Sequence, residues 1–234
     1  MTIIADSLQA IQVKIHAALR SANRHDNVHL LAVSKAQTAD KLREAYQNGQ
    51  RMFGENYVQE AITKQQQLSD LDIEWHFIGP IQSNKTQLIA QNFAWVHSVD
   101  RLKIAQRLSD ARPNTLAPLN VCIQINSSLE ASKSGADLAD AKSLATAINA
   151  LPNLKLRGVM SIPAPASDYE TQRAQFKIVA DTFYSLKQQG FLLDTLSIGM
   201  SDDYVAAIHE GATIIRVGSA IFGARPALTI QPEQ

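Results

Sequence analysis

A closed (β/α)8 TIM barrel, a single-domain α/β fold, is the architecture this sequence predicts, and three observations carry the prediction. Eight short apolar runs alternate with helix-like segments along the chain. The runs are apolar throughout rather than on alternate residues, as strands of a parallel sheet covered on both faces are. Most end in a polar residue or glycine, and a barrel of this type places its working residues at the C-terminal ends of its strands. Eight such units within 234 residues fit a closed barrel better than an open doubly wound sheet, and no linker, repeat or low-complexity tract divides residues 1–234.

The first segment carries Leu8, Ile11, Ile15 and Leu19 at spacings of three and four, one apolar helical stripe. That helix precedes the first strand and lies across the bottom or side of the barrel. The strands are expected at 29–35, 51–56, 74–79, 95–100, 120–126, 155–162, 195–201 and 213–218. Between them, Thr38 and Asp40 open a helix that Gly49 stops. Asp100 caps 101–111 before Pro113, and Asp137 opens a helix that ends before Pro152. Phe176, Val179, Ala180, Phe183 and Leu186 stripe a helix over 168–189, and Asp202 caps 203–210, closed by Gly211. The strand ends then read Lys35, Asn56, Gly79, Asp100, Asn126, Ile162, Ser201 and Gly218, the pattern of a ligand mouth.

Lys+Arg and Asp+Glu both number 22, so the chain lacks the basic footprint of a nucleic-acid binder. It also lacks the basic amphipathic face of a membrane-surface protein, and no apolar run approaches the roughly 20 residues that span a bilayer. The N-terminus has no signal-peptide pattern. One cysteine, Cys122, cannot form an internal disulfide, which points to a reducing cytoplasm. The expectation is a cytoplasmic monomer with neither nucleic acid nor membrane as partner.

Lys35 closes the apolar run of strand one with an amine. Lysine is rarely buried without a partner, and the plain alternative is a chain that snorkels to solvent. The functional reading is a Schiff-base lysine, whose amine becomes nucleophilic when burial or a nearby cation lowers its pKa. Barrels commonly bind phosphate with the loops after strands seven and eight. Here those loops offer the Ser201 hydroxyl, Gly218 for close backbone approach, the Ser219 hydroxyl and a short helix beginning near Asp202. A lysine and a phosphate cup at one mouth point to an aldehyde carrying a phosphate, and so to pyridoxal 5′-phosphate (PLP).

Arg216 stands two residues before Gly218 and shares its face. Its partner in a PLP site is the pyridine nitrogen; the alternative is a buried pair with a carboxylate. Permanent positive charge there keeps the pyridine unprotonated and the ring a poor electron sink. Asn56 can face the ring or simply end a strand. His76 and His97 read as satisfied core histidines, Cys122 as inert core, Lys133-Ser-Gly135 as a mobile loop and Lys85 as a solvated helix residue. No cluster has metal-ligand spacing, and no GxGxxG or GxxxxGK[ST] occurs.

Seven blocks closely resemble the pyridoxal phosphate homeostasis protein family. They are Leu31-Ala-Val-Ser-Lys35, Phe53-Gly-Glu-Asn-Tyr-Val-Gln-Glu60, Trp75-His-Phe-Ile-Gly-Pro-Ile-Gln-Ser-Asn-Lys85, Ser132-Lys-Ser-Gly135, Gly158-Val-Met160, Ser197-Ile-Gly-Met-Ser-Asp202 and Arg216-Val-Gly-Ser-Ala-Ile-Phe-Gly223. They run in order along nearly the whole chain. The resemblance implies the barrel of the alanine racemase N-terminal domain. It also implies PLP on Lys35, phosphate contacts at Ser201, Gly218 and Ser219, and an arginine at Arg216; Asn56 and Met200 complete the expected site. Ser219 stands where threonine is common, keeping the hydroxyl, and Pro80 and Ile81 stand where histidine and leucine are common.

The resemblance further implies a role in vitamin B6 and amino-acid homeostasis without established turnover; PLP-dependent apo-enzymes are the expected recipients in the carrier reading. Racemisation needs acid/base groups on both faces of the substrate carbon. Alanine racemase draws one from a second domain, for which no room is expected before Gln234. The expected protein is therefore a PLP carrier rather than an enzyme, with residual PLP chemistry left open. The competing readings are a weak single-domain racemase and an unrelated phosphate-binding barrel enzyme.

Overall fold

In a computed structural model, which describes residues 2–127 and 134–224, the chain closes a barrel of eight parallel strands in the order β1 to β8. The strands are β1 (His29–Val33), β2 (Met52–Glu55), β3 (Glu74–Phe77), β4 (Trp95–Val99), β5 (Leu119–Gln124), β6 (Leu154–Met160), β7 (Thr195–Ser197) and β8 (Ile214–Val217). Around them run α1 (Ile3–Ser21), α2 (Ala39–Gln47), α3 (Val58–Gln67), α4 (Thr86–Asn92), α5 (Leu102–Ala111), α6 (Ala141–Asn149), α7 (Tyr169–Gln188), α8 (Tyr204–His209) and α9 (Ser219–Phe222). The expected barrel is the observed one.

All eight strands lie where the apolar runs are, but each stops before its expected C-terminal end. Lys35, Asn56, Asn126, Ile162 and Ser201 all lie past the last ladder residue, because the mouth residues leave the sheet to turn towards the following helix. Asp100 does not cap α5: its carboxylate accepts from Arg101 Nη1 at 2.8 Å, and Arg101 holds the cap position. Asp203 rather than Asp202 precedes α8, and Asp137 opens a 3-10 turn over Leu138–Asp140 before α6. Ser132, Lys133 and Arg225 lie outside the described residues.

The core has two compartments. Leu30 and Ala32 of β1 join the large cluster between sheet and helices, to which α1 contributes Leu8, Ile11, Ile15 and Leu19 from the side of the barrel, against α2, α8 and α9. Alternate strand residues point the other way, and separate clusters of Leu31, Ile78 and Ile214 and of Trp95, Cys122 and Met160 fill the inside. Cys122 is fully buried, and burial pushes its thiol up to about 12, so it stays protonated. Among the described residues no helix is long and apolar enough to cross a membrane.

Closure sets the site. Strand β8 pairs with β1 in the register Leu31↔Arg216 and Ala32↔Val217. The first and last strands therefore deliver their C-terminal turns side by side.

Candidate functional site

The chain leaves β1 at Val33 and turns at Lys35 and Ala36, with Lys35 half-buried. Ala36 is left-handed at φ 58°, a conformation that costs an L-residue roughly 1–2 kcal/mol and must be held by its surroundings. The hold comes from α3 and β2. Glu60 accepts the Ala36 amide at 2.6 Å, and Lys64 Nζ donates to the Ser34 carbonyl at 2.7 Å. Both neighbours of Lys35 are thus clamped. Lys64 also reaches Glu60 Oε1 at 2.5 Å and Glu55 Oε1 at 2.8 Å, and Ser34 Oγ donates to Glu55 at 2.6 Å. Glu55 is fully buried, and burial raises its carboxyl above the ordinary value against the pull of Lys64 and Ser34.

Asn56 ends the next strand. Its Oδ1 is buried with no hydrogen-bond partner among the described residues, an acceptor placed at the mouth and left open. Close approach of β3 fixes the backbone here, since a Cβ on Gly79 would sit 2.3 Å from the Asn56 carbonyl oxygen. A cavity of about 570 Å³ opens at this mouth between Asn56, Ile78, Gln124, Ile162, Met200 and Asp203. Of the seven expected site residues, Asn56 and Met200 line it; Lys35, Ser201, Arg216, Gly218 and Ser219 stand on the adjoining β1, β7 and β8 side.

There the turns after β7 and β8 bring two hydroxyls together, Ser219 Oγ 3.4 Å from Ser201 Oγ. Ser219 is exposed and Ser201 half-buried, so both can face a ligand. Asp203 ties the first turn down by accepting the Met200 amide at 2.5 Å; burial raises its carboxyl. Gly218 also meets a constraint from the fold. A Cβ there would press on β1, 3.0 Å from the Val33 carbonyl oxygen and 3.3 Å from Val33 Cβ. The glycine serves the seam between the first and last strands, whatever it also allows at the mouth.

Arg216 is buried, and its bonds are all to neutral groups: Nη1 donates to Ser197 O at 2.6 Å and Ser197 Oγ at 2.9 Å, and Nη2 to Ser161 O at 2.9 Å. No carboxylate bonds to it among the described residues, so the alternative of a buried ion pair does not hold. Burial lowers its pKa to about 10, with Asp203 acting in the opposite sense through space. The Nε–H and one Nη2–H have no protein partner among the described residues. A buried guanidinium beside a lysine turn and a hydroxyl pair suits a ring acceptor bearing an aldehyde and a phosphate.

Sequence reasoning missed Ser161 and Ser197, which hold the arginine, and Glu55, Glu60 and Lys64, which hold the lysine turn. The spacing of Glu60 and Lys64, four apart on one helix, is the one local signal that could have flagged a pair. His76 and His97 are the satisfied core residues expected, bonded to each other at 2.9 Å.

The family model for the alanine racemase N-terminal domain matches residues 7–226. The pyridoxal phosphate homeostasis protein of Pseudomonas aeruginosa is 54% identical over 226 residues, covering 96% of this chain and 97% of that one. The protein of the same name from Escherichia coli is 51% identical over 229 residues, covering 96% and 98%. The structure of PipY from Synechococcus elongatus with PLP bound superposes with a TM-score of 0.80 at 38% identity, covering 94% of this chain and all of that one.

Proposed function

The chain belongs to the pyridoxal phosphate homeostasis protein family, with the alanine racemase N-terminal barrel, and on that premise we propose that it holds PLP at the mouth formed by β1, β7 and β8. The carrying observation is the placement of the Lys35 turn against the Gly218–Ser219 turn across the β1/β8 seam, with Arg216 beneath. When bound, the cofactor supplies an aldehyde that reacts reversibly with amines and a ring that withdraws electrons.

Lys35 provides the amine for covalent attachment. Ser201, Ser219 and the backbone at Gly218 take the phosphate, and Arg216 directs its uncommitted N–H groups at the ring nitrogen. Asn56 and Met200 border the ring from the cavity side. A cation at the ring nitrogen weakens the ring as an electron sink. This supports a carrier in PLP and amino-acid homeostasis over an amino-acid racemase. The protein is read as a cytoplasmic monomer with one domain over residues 1–234, passing PLP to apo-enzymes.

Borohydride reduction of the PLP-loaded protein followed by peptide mapping tests the reading, with the pyridoxyl group expected on Lys35. Finding it mainly on Lys85 or Lys133 sinks the assignment. Robust racemisation or transamination that vanishes in Lys35→Ala overturns the carrier role.

A further inference from the structure

Branched apolar side chains ordinarily fill the inside of such a barrel. Here a continuous file of polar groups crosses it. Glu74 and His76, two apart on β3, share the inward face. His76 Nε2 lies 2.9 Å from Glu74 Oε1, and His76 Nδ1 lies 2.9 Å from His97 Nε2 on β4. His97 Nδ1 lies 2.8 Å from Ser197 Oγ on β7, which in turn accepts from Arg216 Nη1 on β8. The Trp95 ring stacks on His76 at 5.3 Å and 8°. Both histidines are fully buried, whereas the Glu74 side chain is 45% exposed at the mouth opposite Lys35.

The ends of the file dictate its direction. Guanidinium can only donate, so Ser197 Oγ accepts from Arg216. Carboxylate can only accept, and the His76 bond holds the Glu74 carboxyl below its ordinary value, so His76 carries its proton on Nε2. Burial keeps both imidazoles neutral; for His97, the neighbouring His76 and Arg216 act in the same sense. A neutral His76 then has a bare Nδ1, which must accept from His97 Nε2–H. His97 in turn has a bare Nδ1, which must accept from Ser197 Oγ–H. Any other arrangement sets two lone pairs or two N–H groups against each other in a dry interior. Aligned head to tail between a cation and an anion, the bonds polarise one another.

We propose that Glu74, His76, His97 and Ser197 are positioning residues for Arg216, a one-way file of hydrogen bonds that sets the guanidinium from the opposite mouth of the barrel. An apolar filling would pack this interior without the need to satisfy every partner, so a file complete from end to end points to a demand made by Arg216. The proposal deepens the ligand reading above and rests on it for the group that Arg216 meets.

Nitrogen-15 NMR of histidine- and arginine-labelled full-length protein without PLP tests the file. Both rings should be neutral with the proton on Nε2 near pH 7. Glu74→Leu, at an exposed strand start, should mix the His76 tautomers and move the Arg216 Nε–H resonance; Glu74→Gln, which keeps an accepting oxygen, should restore both. Ser197→Ala breaks the file at its other end and should move the Arg216 resonance as well. With PLP added, the visible absorption band of the bound cofactor should shift in Glu74→Leu and return in Glu74→Gln, while affinity for inorganic phosphate stays within twofold. An Arg216 resonance unmoved by both Glu74→Leu and Ser197→Ala overturns the proposal, as does a proton on Nδ1 of either ring in the parent chain. If the parent chain takes up no PLP, the ligand reading fails while the NMR result still judges the file.

Discussion

The two sides of the barrel mouth hold their residues by different means. On the β1/β2 side, the Lys35 turn rests on charge: Lys64 bridges the buried Glu55 and the half-buried Glu60, and Glu60 in turn holds the left-handed Ala36. On the β7/β8 side, Arg216 is bonded to two carbonyls and a hydroxyl, and the serine turns rest on backbone contacts and a glycine. A charged cluster is brittle, because removing one member leaves buried charge uncompensated. Bonds spread over separate neutral acceptors yield in steps, since losing one leaves the others in place, each bond from the guanidinium being worth roughly 1.5–3 kcal/mol. The Lys35 turn is therefore held in a rigid frame, and the serine turns are the tunable side.

The sharpest way to break this contrast is Lys64→Ala, which should cost about 3–5 kcal/mol in urea unfolding by stranding Glu55 and Glu60. The double substitution Glu55→Gln, Lys64→Met should recover the larger part owed to the buried Glu55, because those two charges leave together while the partly exposed Glu60 can meet water. A Lys64→Ala chain as stable as its parent would dissolve the distinction.

On the other side, Ser201→Ala and Ser219→Ala should each lower PLP affinity by roughly 1.5–3 kcal/mol, about one to two decades, with stability nearly unchanged. Lys35→Ala should still take up PLP non-covalently with faster release. Equilibrium dialysis reads these affinities; losses below twofold for both serines would move the phosphate elsewhere.

Gly218→Ala comes next, at about 1–3 kcal/mol of stability, from overpacking against Val33. Gly218→Val should cost more. The structure makes this a test of the strand seam as well as of the phosphate, so thermal unfolding must accompany dialysis. Loss of affinity without loss of stability would return the glycine to the ligand.

The smallest effect sharpens the contrast through pH. Burial lowers the folded pKa of His76 and His97 below the unfolded value of about 6.5. The unfolded chain then binds protons that the folded chain refuses, so their contribution is complete above about 6.5 and is lost progressively as pH falls from there through the lowered folded values. The slope should be on the order of 1 kcal/mol per pH unit for each histidine. Glu55 works in the opposite sense, its raised folded pKa adding stability as pH falls towards the unfolded carboxyl value. Urea midpoints between pH 7.5 and 5 should fall in the parent chain and fall less in His97→Gln. Equal slopes in the two would place the titration elsewhere.

By itself the sequence determined the barrel and the residues at its mouth. Period and punctuation are local properties, and eight apolar runs bounded by caps and glycines leave few ways to bury them all. Lys35, Asn56, Ser201 and Gly218 were legible because each ends a run, and Arg216 because a charge inside a strand needs a reason. Which residues would hold them was not legible. Lys64 meets Ser34 thirty positions away, Arg216 meets Ser161 fifty-five away, and His97 meets Ser197 a hundred away. Those contacts follow from the closure of β8 on β1 and from the stagger of neighbouring strands, which no single run encodes. The same closure gave Gly218 a further role, because only the folded barrel shows that a Cβ there would crowd Val33.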